Sequence, residues 1–304
     1  MAAENTSLFP YQKCLMVALS DRETQLQLRD ITNYVIIPVQ ILVIFVSLAC
    51  NAFVVITVAH TQSLRQHPPQ LMLSSLAITD VIFALNALYR DILVLAHEHK
   101  CPNNTTNPVF ASLYIQATLG NMAIISVDRY LAVRKLWWYR AHMTKSRALK
   151  MIGLPWVATV VVTSLLYLES LSDGPFPFGK IIAFLFYFLC IFCTIFSHIF
   201  LFCNKTPPEE VMNIRHVYKR EKRLANTVAW ILLLLVVLFL PGTIVPLVLI
   251  AANVPNVPAY ARYSVFLLLL NGLLNPLVNF GRNKRMRKAL RKLMTCSQQV
   301  EPVL

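Results

Sequence analysis

Charge is scarce in this chain. Asp, Glu, Lys and Arg make up 14% of its 304 residues, where soluble domains carry roughly 25%. Glycine is scarce too, with seven residues, which excludes Gly-rich linkers and collagen-like repeats. There is no phosphate-binding Gly-rich loop, no Cys/His cluster with metal spacing and no Gly-x-Ser-x-Gly nucleophile motif, so no catalytic constellation is expected and the chain does not read as an enzyme. Residues 1–32 are polar and mixed, without the continuous apolar core of a cleaved signal peptide, so the first apolar run is expected to act as its own insertion signal.

Apolar side chains are abundant, at 57% of the chain. They gather into seven runs, at 33–60, 70–96, 108–133, 150–170, 180–203, 224–252 and 261–281, each near the ~20 residues that cross a bilayer. A short amphipathic stretch, GRNKRMRKALRKLM, follows the last run. The expected architecture is an all-α membrane protein with an N-terminal segment over 1–32, a seven-helix bundle over 33–282, and an amphipathic helix and tail over 283–304. Twenty of the 28 Lys and Arg fall at Arg65, between Arg134 and Lys150, between Lys205 and Arg223, and between Arg282 and Lys292. Six lie on the other side, at Lys13, Arg22, Arg29, Lys100, Lys180 and Arg262. That asymmetry predicts an external N-terminus and a cytoplasmic C-terminus. The net charge of +14 is then topological and calls for no nucleic acid. Sequons at Asn5, Asn103 and Asn104 fall outside, where glycosylation can occur, and the one at Asn204 falls inside.

The polar residues within the runs are more telling, because ionisable groups at membrane depth are costly and serve by default as functional-site hypotheses. Asp80 lies mid-run in LAITD, and Asn51, Thr118, Asn271 and Asn275 lie at comparable depth in three other runs. Singly, each reads equally well as a helix-packing residue; together they favour one shared polar cluster. A second pair, Asp128-Arg129, closes the third run and is followed by the cationic VRKLWWYR.

In order along the chain, CNAFVV with Asn51, LAITD with Asp80, DRY at Asp128, Arg129 and Tyr130, Trp156, FLPG with Pro241, NPLVN with Asn275 and Pro276, and RNKRMRKAL resemble the motifs of rhodopsin-like (class A) G-protein-coupled receptors from residue 33 to 296. The resemblance implies a receptor of the plasma membrane that passes an extracellular signal to a heterotrimeric G protein, with arrestin as a further partner. Arg129 would be held by Asp128 and by Glu221, 20 residues before Pro241, and released as the sixth span swings about the Pro241 kink. Arg129, Trp137 and Tyr139 would meet the G protein; Trp137 and Trp138 also read as interfacial anchors. Asp80, Thr118, Asn271 and Asn275 resemble a sodium site, so an allosteric sodium ion is possible although no cofactor is required. Pocket positions would be Ala111, Ser112, Ile115, Gln116 and Phe239, with Arg90 and Asp91 either greeting a polar ligand or pairing with each other.

Several positions depart from the family pattern. Phe239 stands for its sixth-span tryptophan, Asn279 for the tyrosine of Asn-Pro-x-x-Tyr, Gly272 for a sodium-site serine and Met286 for a phenylalanine, and the fifth span has no proline. The second external loop lacks the usual cysteine, leaving Cys14 and Cys101 as the pair for an external disulfide, while Cys296 is a palmitoylation candidate. The short loop is similar to that of the melanocortin, adenosine and cannabinoid group. Ala111 replaces the aspartate of amine receptors, and Leu269 stands where an opsin has its lysine. The ligand class thus stays open among small molecule, lipid and peptide. Two readings from other classes also stay open: a seven-helix transporter or channel, and a receptor-like scaffold that binds without signalling.

Overall fold

The computed structural model describes residues 35–96, 106–171, 178–203 and 257–294, with Tyr218, Lys222, Leu238 and Pro241 between them. The expectations for Cys14, Cys101, Asn5, Asn103, Asn104, Glu221, Phe239 and Cys296 lie outside the described residues. Among the described residues there is no strand, and the long elements are α1 (Ile37–His60), α3 (Pro68–Ala96), α4 (Thr106–Arg134), α6 (Lys145–Leu171), α7 (Phe178–Cys203) and α8 (Val257–Arg282). Short helices α2 (Gln62–Arg65), α5 (Leu136–His142) and α9 (Lys284–Met294) link or extend them. Six of these helices are long and apolar enough to cross a membrane. Helices are what lipid demands, since only internal bonding satisfies the backbone there.

The bundle buries polar groups among apolar core clusters and turns apolar side chains outward. Asn51, Thr57, Asp80, Gln116, Thr118, Asn121 and Asn271 are buried, while Leu154, Val157, Phe184, Leu185 and Phe188 face outward. α4 runs through the middle, packing on α3, α6 and α7, and α1 closes against α3 and α8. Proline sets two starts: Pro38 lies in the first turn of α1 and Pro68 opens α3, positions where the missing N–H costs nothing. α9 starts at Asn283, whose Oδ1 accepts from the N–H groups of Arg285 (3.1 Å) and Met286 (3.2 Å). Met286, fully buried, seats against Val54, Val58, Leu64 and Ala77.

Where the family pattern would place a disulfide near the second external loop, an acid joins α6 to α7. Glu169 Oε2 accepts from the Lys180 backbone N–H at 3.1 Å, and Oε1 lies 3.2 Å from Lys180 Nζ. A carboxylate at a helix N-terminus is favoured by the helix dipole. Gly179 permits the approach, because a Cβ there would stand 2.8 Å from Glu169 Oε2. A second close crossing fixes α4 on α6: a Cβ on Gly120 would lie 2.6 Å from that of Pro155. Gly120→Leu is expected to lower stability by about 1–3 kcal/mol through overpacking. The check is the melting midpoint of the solubilised full-length protein, and an unchanged midpoint would contradict the crossing.

Candidate functional site

Asp80 of α3 is 1% exposed. Its Oδ2 accepts from Asn275 Nδ2 of α8 at 2.9 Å, and its Oδ1 accepts from the Tyr114 hydroxyl of α4 at 3.4 Å. Asn51 brings in α1: its Nδ2 donates to Ser47 O and to Gly272 O, both at 3.0 Å. Three helices, α3, α4 and α8, therefore meet at one carboxylate, and α1 joins them through the backbone of Gly272. Gly272 explains the missing serine. A Cβ there would meet Asp80 Cγ and Oδ1 at 3.2 Å, so the bare backbone lets the carboxylate press against α8.

Around this carboxylate, Thr118 Oγ1, Asn271 Oδ1 and Asn275 Oδ1 are buried oxygens without hydrogen-bond partners, and Thr118 and Asn271 both face the Tyr114 hydroxyl. Such oxygens beside an acid are the donor set a hard monovalent cation takes. The residues present thus fit a sodium ion. Tyr114 is the member that the sequence reading missed. It lies one turn before Thr118 on the same helix, and that i, i+4 spacing was the available signal.

At the far end of α4, Arg129 is 2% exposed. Its guanidinium is held by Asp128, with Nε to Oδ2 at 2.9 Å and a second, shorter contact from Nη2. Tyr139 closes the ring: its hydroxyl donates to Asp128 Oδ1 at 2.7 Å and accepts from Arg129 Nη2 at 3.2 Å. The break at Lys135 makes this possible by turning α5 back onto α4. Tyr139, expected on the contact surface with Trp137, is buried against the pair, while Trp137 is 51% exposed. Trp138 stacks on His142 at 5.0 Å between centroids. Tyr130 lies edge-on to Phe200 of α7 at 5.6 Å, and Arg134 sits over the same ring at 5.4 Å.

The third-span pocket positions share one stretch of α4. Gln116 Nε2 donates to Ser112 Oγ at 2.6 Å, and Tyr187 of α7, absent from the sequence-based set, lies near both. Ala111 and Ile115 are half-buried beside them. Asp91 is buried and accepts from Gln40 Nε2 of α1 at 2.9 Å. Pro276 is buried within α8 next to Asn275, and Pro241 is helical and exposed.

Residues 50–174 match the family model described as 7 transmembrane receptor (rhodopsin family). Over 126 residues, 40% of this chain, the sequence is 28% identical to the D(1B) dopamine receptor of Homo sapiens and 29% identical to that of Rattus norvegicus. The D(1B) dopamine receptor of Xenopus laevis is 29% identical over the same length. The matched stretch covers about a quarter of these receptors, 26% of the human one. By this match, and by the motif residues that its helices bring together, the chain is similar to the rhodopsin-like, class A receptors over residues 50–174.

Proposed function

We propose that the chain carries an extracellular ligand signal to a heterotrimeric G protein through movement of the sixth span. The observation that carries this reading is the buried Arg129, closed in by Asp128 and Tyr139 at the end of α4. A guanidinium is expensive to bury and strongly destabilised by losing its partner. It is therefore a two-state element that a ligand elsewhere in the bundle can bias. Opening the ring would expose Arg129 to a G protein beside Trp137, with arrestin competing for the same face. Glu221, in the cationic run before Pro241, is the further acid proposed to hold Arg129. The orientation read from the cations puts this end in the cytoplasm of a plasma-membrane protein, with Asn5, Asn103 and Asn104 glycosylated outside and Cys296 acylated inside.

The ligand is extracellular: a small molecule, a lipid or a peptide. The named relatives are dopamine receptors, but their ligand is not carried over, because Ala111 offers no carboxylate for an amine. Ser112, Gln116 and Tyr187 instead offer neutral hydrogen-bonding groups.

Sodium is proposed as an allosteric ligand at Asp80, Thr118, Asn271 and Asn275. Replacing choline chloride by sodium chloride is expected to raise the melting midpoint of the wild type and to leave that of Asp80→Asn unmoved; equal responses would remove the ion from this account.

The functional test is ligand-independent G-protein activation in cells at matched surface expression. Glu221→Ala should raise basal signalling. Tyr139→Phe removes two bonds to charged groups and should raise it by roughly tenfold. Silence of all three proteins across every G-protein class would favour the non-signalling scaffold or the transporter, which current recordings would then separate.

A further inference from the structure

The Tyr114 hydroxyl stands between two acceptors on different helices. It lies 3.4 Å from Asp80 Oδ1 of α3 and 3.4 Å from the Leu268 carbonyl oxygen of α8. A phenol has one proton to donate and an oxygen that can accept in return. It therefore serves one of these acceptors at a time, and both contacts are longer than the ~2.7–2.8 Å of a well-made O–H···O bond. Thr118 and Asn271 lie beside the same hydroxyl, and Thr118 Oγ1 and Asn271 Oδ1 have no hydrogen-bond partner. The hydroxyl thus sits amid the oxygens around Asp80 and satisfies few of them.

Both members of the Tyr114–Asp80 pair are held in place. The buried Tyr114 ring stacks on the buried Phe83 ring at 3.9 Å between centroids. Asp80 is pinned by Asn275 Nδ2 at 2.9 Å and pressed against Gly272, where a Cβ would meet its Cγ at 3.2 Å. Close-packed interiors resist displacement, so the fold sets the 3.4 Å edge between the two oxygens. Two oxygens at right angles around a hard cation with ~2.4 Å bonds, the calcium range that sodium shares, lie ~3.4 Å apart. Potassium, with longer bonds, needs a wider edge, and a cavity that cannot widen selects by size.

On the sodium reading given above, we propose that the Tyr114 phenol oxygen is a further ligand of this site, and that its fixed ring makes the site prefer sodium to potassium. The phenol proton goes to the Leu268 carbonyl when the oxygen faces the cation, and to Asp80 when it does not. Both acceptors are supplied by the fold, so the hydroxyl keeps a hydrogen-bond acceptor in either state.

The test follows the melting midpoint of the full-length protein in phosphatidylcholine nanodiscs as sodium chloride or potassium chloride replaces choline chloride. In the wild type, the half-maximal rise should come at a lower concentration of sodium than of potassium. Tyr114→Phe keeps the ring and its stack but loses the oxygen. The sodium concentration for half-maximal rise should increase roughly tenfold, the lower end of the cost of disturbing a metal site, and the preference over potassium should shrink. Phe83→Leu keeps the hydroxyl and loosens the ring; it should narrow the preference while a sodium response persists, and serves if the first variant folds poorly. An unchanged sodium requirement in Tyr114→Phe would overturn the proposal, and a lower one would mark the hydroxyl as a competitor of the ion and overturn it too. So would equal responses of the wild type to the two salts, or an intact preference in Phe83→Leu. A wild type that responds to sodium no more than Asp80→Asn would overturn the sodium reading itself, and this proposal with it.

Discussion

A carboxylate halfway across a bilayer has no water to turn to, and the arrangement of this bundle follows from that constraint. Asp80 draws Tyr114 from α4 and Asn275 from α8, and Asn51 ties α1 to the same backbone at Gly272. Apolar helices gain little by meeting one another in lipid, because the tails around them are as apolar as their own side chains. Polar contacts and close backbone crossings therefore do the selecting. The approach of α8 to Asp80 at Gly272 and of α4 to Pro155 at Gly120 are two such crossings.

α4 is the element through which these constraints meet. It carries Tyr114 and Thr118 at the buried cluster and Asp128-Arg129 at its end. Fifteen residues separate Tyr114 from Arg129, about 22 Å of continuous helix at 1.5 Å per residue. One continuous helix thus joins the cluster to the ring that Tyr139 closes. Trp156 pins α6 to α3 by donating to Ser75, so α4 is gripped from two sides.

Much of this was legible in the sequence, for physical reasons. Apolar runs of bilayer length located the six described crossings to within a few residues, and of the residues singled out by depth, Asp80 and Asn275 share a hydrogen bond. What escaped the sequence reading were polar atoms on side chains that look apolar. Tyr114 was not singled out in the sequence, and only the fold reveals its hydroxyl as a partner of Asp80. Tyr139 was expected on the contact surface from the family resemblance of its loop; the turn at Lys135 that buries it depends on tertiary packing. The Glu169 cap escaped notice because its partner lies across a loop, 11 residues away.

The claim on which the account rests is that Asp80 and Tyr114 are energetically joined and not merely adjacent. A double-mutant cycle of Asp80→Asn and Tyr114→Phe measures this directly, read as the unfolding free energy of the full-length protein in lipid nanodiscs. The account predicts a coupling of about 0.5 kcal/mol or more, the mark of side chains sharing one network. Effects that add within about 0.3 kcal/mol, as independent sites do, would contradict it.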